Sequence, residues 1–139
     1  NSILSQPETL DPQKSMAMKL GDAPNPDSLY AVSKLFGEHL GKLYSEQRGL
    51  SFIGLRIGWT IPENDPTVMR GTSAEEYMRA MFLSHRDCVQ AHRRALEVDA
   101  RYMLAYVVSD NGRRVFDLEE TRTLLGYEPQ DDAEAFFSR

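Results

Sequence analysis

The stretch Pro26–Ile57, PDSLYAVSKLFGEHLGKLYSEQRGLSFIGLRI, predicts a helix that leads directly into a strand. Ser28 is a favourable N-cap, and apolar residues then recur every three or four positions up to Arg48. Gly49 follows, where a glycine commonly ends a helix. The apolar run Ser51–Ile57 is short and bounded by glycines, as expected of a buried strand. A helix joined so closely to a buried strand is typical of a parallel α/β sheet.

The rest of the chain continues this alternation of helical and strand patterns. Proline-containing residues 1–27 and 58–71 indicate irregular structure, apart from a short helical pattern at Lys14–Leu20. Capping-box patterns begin two of the later helices, at Thr72-Ser73 and at Asp117. The further elements predicted are helices at 72–82, 84–98 and 117–126 and a strand at Tyr102–Val108. The fold class is therefore α/β.

Composition excludes several function classes. The 139 residues carry a net charge of -5 with 41% hydrophobic and 27% charged residues, as in ordinary globular domains. No basic stripe is available for nucleic acid, and no apolar run reaches the roughly 18 residues of a membrane span. The first ten residues lack the features of a signal peptide. The single cysteine, Cys88, excludes an intrachain disulfide and indicates a reducing cytoplasm.

Tyr30 and Lys34 are the residues most suited to catalysis. They lie four positions apart on the predicted helix, so both side chains share one face. A free tyrosine has a pKa near 10 and is a poor base at neutral pH. A nearby cation lowers that pKa, and the phenolate can then accept a proton from a substrate hydroxyl. The spacing alone is weak evidence, because it occurs by chance in many helices where a surface tyrosine lies beside a solvated lysine.

His85, Cys88 and His92 form a rival constellation, because their spacing places three zinc-ligating side chains on one helical face. A structural zinc site normally needs a fourth ligand, and the sequence holds no second Cys/His pair. We therefore predict no metal site. The alternative is a helix with a buried cysteine and half-exposed histidines.

The pattern Pro26-x-x-x-Tyr30-x-x-Ser33-Lys34-x-x-x-Glu38 resembles the active-site helix of the extended short-chain dehydrogenase/reductase family, of the NAD-dependent epimerase/dehydratase type. The chain is most similar to uronate dehydrogenases and archaeal-type NAD-dependent glucose-6-phosphate dehydrogenases. Further matches follow in the family's order, as Leu55-Arg56-Ile57-Gly58, Arg86-Asp87-Cys88-Val89 and Leu124-Leu125-Gly126-Tyr127-Glu128-Pro129.

This resemblance implies the C-terminal part of a doubly wound, Rossmann-like parallel sheet with a small C-terminal substrate lobe. Residues 1–62 would end the dinucleotide-binding fold, and residues 63–139 would mainly form the lobe. The family's Gly-x-x-Gly-x-x-Gly fingerprint and its catalytic serine have no recognisable counterpart before Tyr30. The N-terminal nucleotide-binding half is therefore expected to be absent from this chain.

The resemblance also implies an enzyme and its site residues. Tyr30 would be the base, and Lys34 would lower its pKa and hold the nicotinamide ribose. Trp59 would contact the cofactor, and Thr60 and Arg70 the sugar, although Arg70 equally fits a solvated loop arginine. The implied reaction is NAD-dependent oxidation of an aldose acid or sugar phosphate to a lactone, with NADP left open and a homo-oligomer expected. The alternatives are a nucleotide-sugar epimerase or dehydratase and a non-catalytic dinucleotide sensor.

Overall fold

The computed structural model describes residues 18–138, which form helices on both faces of a two-stranded parallel sheet. No helix in this range is long and apolar enough to cross a membrane. The elements in chain order are α1 (Leu29–Arg48), β1 (Phe52–Ile57), a 3-10 helix (Pro66–Met69), α2 (Glu75–Met81), α3 (His85–Glu97), β2 (Tyr102–Val107), α4 (Glu119–Leu125) and α5 (Ala133–Phe137).

Helix α1 begins and ends where its sequence indicates. The Ser28 hydroxyl accepts a hydrogen bond from the Ala31 amide at 3.2 Å, which caps the first turn. Gly49 adopts a left-handed conformation with φ of 70°, and its amide donates to the Ser45 carbonyl at 3.1 Å. A residue with a Cβ would be strained at this φ, so glycine suits the turn into β1. The predicted helix and its direct link to a strand are confirmed.

The two strands lie parallel and in register, with Phe52 beside Tyr102 and Ile57 beside Val107. Strand β2 is covered on both sides, which explains why its sequence is almost continuously apolar. The α/β class with a parallel sheet is confirmed.

Each face of the sheet packs against different helices. On one face Ile53 and Leu55 join a core cluster with α3 and α4, built around Leu83, Ala91, Met103, Ala105, Val107, Leu125 and Tyr127. The opposite face of β1 lies against α1, where a Cβ on Gly41 would overlap the Phe52 ring. The missing side chain at Gly41 thus lets α1 approach the sheet closely. This helix, which carries Tyr30, is held directly over β1.

The boundary predicted at residue 62 does not divide the sheet, because β2 comes from the second part and pairs with β1 from the first. The division into a dinucleotide-binding end and a substrate lobe stays a prediction. Within the second part, α5 occupies a tail for which the sequence indicated no element. Most of the helical pattern at Lys14–Leu20 lies outside the described residues. Met18, where the description begins, forms a β-bridge with Phe116.

At both predicted capping boxes the polar side chain closes a turn before the helix instead of capping it. Helix α2 begins at Glu75, and the Thr72 hydroxyl accepts a hydrogen bond from the Ala74 amide before it. Helix α4 begins at Glu119, whose amide donates to the Asp117 carboxylate at 2.9 Å. In both cases the polar side chain closes a turn ahead of the helix, so the helix starts later than predicted.

Candidate functional site

A cleft of about 550 Å³ lies between α1, β1 and the segment that precedes α1. Its walls include Tyr30 and Lys34 from α1, residues 54–57 of β1 and Tyr106 of β2. Residues 22–26 form its rim. Strand β1 has β2 on one edge, and among residues 18–138 no strand pairs with its other edge. The cleft is therefore the place where the predicted catalytic pair and the sheet meet.

Tyr30 and Lys34 are brought together as their spacing predicts. The Lys34 ammonium lies 5.0 Å from the centroid of the Tyr30 ring, within the range of a cation–π contact. Tyr30 is 63% exposed, and its hydroxyl has no hydrogen-bond partner among residues 18–138. The phenol is therefore open to a ligand in the cleft, with a cation beside its ring.

A second charged pair lines the same cleft. Arg56 donates from Nε and Nη2 to the two carboxylate oxygens of Glu38, each at 2.8 Å. Its Nη1 also donates to the Tyr106 hydroxyl at 3.2 Å. The hydrogen bonds that Arg56 donates to Glu38 raise the pKa of its guanidinium above the ordinary value despite the opposing effect of burial. Glu38, Arg56 and Tyr106 thus form a connected polar network under α1.

Trp59 and Thr60 lie beyond the end of β1 and are not among the residues that line this cleft. The Trp59 main chain pairs with the segment after α2, accepting from the Leu83 amide at 3.0 Å. Its indole packs edge-on against Tyr77, with ring centroids 5.4 Å apart. Thr60 is exposed. Trp59 is therefore half-buried against the core and Thr60 is exposed, and neither lines the cleft.

Arg70 also lies outside the cleft, at the end of the 3-10 helix. Its Nη2 donates to the Phe137 carbonyl of α5 at 3.1 Å, and its guanidinium lies 5.1 Å from the Phe137 ring centroid. The residue as a whole is exposed. In this arrangement Arg70 contacts the C-terminal helix rather than Tyr30 or Lys34.

The two histidines of the rival metal constellation contact backbone carbonyls. The His85 ring donates from Nε2 to the Ile61 carbonyl at 2.9 Å, and His92 from Nδ1 to the Cys88 carbonyl at 2.8 Å. Within residues 18–138 no group of three His, Cys, Asp or Glu side chains is arranged to hold a metal ion. Burial raises the pKa of the Cys88 thiol above its ordinary value.

Glu38 and Arg56 were not predicted as site residues, although both stand in stretches that resemble the family. A signal was present, because Arg56 is the charged residue in an otherwise apolar strand and Glu38 follows Lys34 by one helical turn. The sequence could not indicate that these two side chains meet, since the contact depends on how α1 crosses β1. Tyr106 joins them through the register that places it beside Arg56.

No family model matches this chain. It is 40% identical over 133 residues to the L-arabinose 1-dehydrogenase (NAD(P)(+)) of Haloferax volcanii, covering 93% of this chain and 52% of that protein. It is 34% identical over 132 residues to an NAD-dependent glucose-6-phosphate dehydrogenase of the same organism, covering 94% of this chain and 47% of that protein. The chain thus spans about half the length of the curated relatives it matches.

The fold is also found in solved structures. A crystal structure of uronate dehydrogenase from Agrobacterium tumefaciens, a variant complexed with NAD, superposes with a TM-score of 0.72 and 27% sequence identity. The superposition covers 87% of this chain and 42% of that one. The likeness therefore extends over nearly all of this chain and less than half of the solved structure.

Proposed function

We propose that this chain is part of an NAD-dependent sugar dehydrogenase of the extended short-chain dehydrogenase/reductase family, and that the protein oxidises a sugar hydroxyl with NAD. The observation that carries the proposal is the exposed Tyr30 side chain, which lines the cleft and has the Lys34 ammonium 5.0 Å from its ring centroid. An aldose acid or a sugar phosphate is the proposed substrate, oxidised at the anomeric carbon to a lactone.

The proposed chemistry is proton removal by Tyr30. An ammonium near the phenol favours its ionised form, so that Tyr30 can accept the proton of the anomeric hydroxyl. NAD, when bound, would accept a hydride from the same carbon. The proton leaves to Tyr30 and the two electrons leave with the hydride, which balances the oxidation to a lactone.

The described residues fit the reactive end of the cofactor. Tyr30 and Lys34 present donor groups to an open cleft, and Lys34 makes no ion pair with any carboxylate in residues 18–138. Lys34 would hold the nicotinamide ribose, and Trp59 would lie near the nicotinamide. This chain has no glycine-rich turn for the pyrophosphate. We propose that the rest of the nucleotide-binding fold continues the sheet from the free edge of β1.

Substrate contacts are proposed for Thr60 and Arg70. A planar guanidinium can bind a carboxylate or phosphate through two hydrogen bonds. Arg70 would have to move from its contact with Phe137 to do so, because one of its nitrogens is engaged there. NADP is a further candidate cofactor, as the name of the arabinose-oxidising relative indicates for that protein.

The experiment uses the protein expressed from its complete reading frame. We expect NADH formation, followed at 340 nm, with one or more of glucuronate, galacturonate, glucose 6-phosphate and L-arabinose, and a lactone product by NMR. Activity with L-arabinose alone would correct the proposed substrate class to a neutral aldose. Absence of NAD or NADP reduction with every sugar of the panel would contradict the proposed function.

We also propose that the protein is a cytoplasmic homo-oligomer. A stripe of apolar side chains on α1 faces away from the sheet, with Val32 50%, Phe36 66% and Leu43 45% exposed. Burying such a surface against a second copy is worth roughly 25 cal/mol per Å². The cytoplasmic location is supported by the free thiol of Cys88.

Phe36→Glu is expected to dissociate the oligomer, because it places a charge in the centre of the stripe. Sedimentation velocity of the complete protein at micromolar concentration should show an oligomer for the wild type and a smaller species for the variant. Leu96→Glu, at an equally apolar and 89% exposed position on α3, is the matched control and should leave the sedimentation coefficient unchanged. A monomeric wild type would contradict the proposal.

A further inference from the structure

Glu38 lies where it would ordinarily pair with Lys34. The two residues are four positions apart on α1, a spacing at which opposite charges usually attract along a helix. The structure shows a different pairing. Both Glu38 oxygens accept hydrogen bonds from Arg56, and the Lys34 ammonium lies by the Tyr30 ring. The helix alone therefore does not explain which cation Glu38 contacts.

Arg56 outcompetes Lys34 for geometric and electrostatic reasons. Its planar guanidinium meets the carboxylate through two parallel hydrogen bonds, which a lysine cannot make. The side chains of Arg56 and Glu38 are only 21% and 17% exposed, so solvent screens their attraction weakly. Arg56 is itself held by the Tyr106 hydroxyl at 3.2 Å and lies 5.4 Å from the Tyr106 ring centroid.

We infer that Arg56 is a positioning residue that keeps Glu38 from capturing Lys34, and so leaves the Lys34 ammonium available to Tyr30. The inference rests on the proposed function in giving Lys34 a role beside Tyr30. If Arg56 is removed, Glu38 is left as an unpaired carboxylate one helical turn from Lys34. An ion pair between them would neutralise the charge that favours the Tyr30 phenolate.

The first test is structural and needs no activity. Crystal structures of the complete protein are compared for the wild type, Arg56→Gln and Arg56→Gln/Glu38→Gln. In Arg56→Gln we expect the Lys34 ammonium within about 4 Å of a Glu38 oxygen, the usual ion-pair distance. In the double variant Lys34 should return to the Tyr30 ring. Lys34 remaining at that ring in Arg56→Gln would overturn the inference.

The second test is the pH dependence of kcat/KM. Sugar oxidation removes a proton from the substrate hydroxyl, so kcat/KM is expected to rise with pH. In Arg56→Gln that rise should move to higher pH by about one unit, lowering activity on the acid side about tenfold. Adding Glu38→Gln should restore the wild-type position of the rise. A double variant as impaired as the single one would mean that the pair only holds α1 on the sheet, and would overturn the inference.

Controls separate this inference from the proposed function. Arg93→Gln removes the same kind of side chain from an exposed ion pair with Glu97 on α3, and should change neither readout. If Arg56→Gln fails to fold, Arg56→Lys with and without Glu38→Gln gives the same comparison, since lysine contacts only one oxygen well. A wild type without dehydrogenase activity would contradict the proposed function alone, while the structures still decide where Lys34 lies.

Discussion

Tyr30→Phe is expected to lower the kcat of NAD-dependent sugar oxidation by a factor on the order of 10³, which is the range that a positioned general base contributes. The substitution removes only the hydroxyl and keeps the ring beside Lys34. Because that hydroxyl has no partner among residues 18–138 and the side chain is 63% exposed, folding should be unaffected. The measurement is the initial rate of NADH formation at saturating sugar, together with the thermal unfolding midpoint.

Tyr44→Phe is the matched control for this prediction. Tyr44 lies on the same helix and is 48% exposed, but it does not line the cleft. Its variant should keep the wild-type kcat. A Tyr30→Phe enzyme with a near-normal kcat would show that another group accepts the proton, and the proposed role of Tyr30 would be wrong.

Asp87→Ala is expected to destabilise the fold by roughly 4 kcal/mol, since it leaves one buried and two partly buried donors without their acceptor. The Asp87 carboxylate is fully buried in the first turn of α3. It accepts hydrogen bonds from the Ser109 hydroxyl at 2.7 Å and from the Gln130 and Asp131 amides at 2.9 and 3.1 Å. One side chain thus joins α3 to the segment after β2 and to the chain before α5.

Urea titration followed by circular dichroism measures this loss. The Asp87→Ala variant should unfold at a clearly lower urea concentration than the wild type. Asp99→Ala removes an exposed carboxylate just after α3 and should change the free energy of unfolding by less than about 0.5 kcal/mol. Equal midpoints for Asp87→Ala and the wild type would contradict the assignment of Asp87 as the hub of these contacts.

Local patterns in the sequence accounted for most of the secondary structure. The N-cap at Ser28, the glycine stop at Gly49 and the apolar run of β1 each act through neighbouring residues, so their signals can be read without the fold. The late starts of α2 and α4 were missed because their polar residues close local turns instead of capping helices. Helix α5 is too short for a periodic apolar pattern to reveal it.

The sequence by itself determined the α/β class and the helix that carries Tyr30 and Lys34. It also determined that these two side chains share one face, because residues four positions apart on a helix lie on the same side. Only the tertiary structure decided the partner of Glu38. The spacing on the helix would allow Glu38 to pair with Lys34. The packing of α1 over β1 brings Arg56 to Glu38 instead, and its two hydrogen bonds make the stronger contact. Contacts between elements distant in the chain depend on this packing, and the spacing of residues does not encode it.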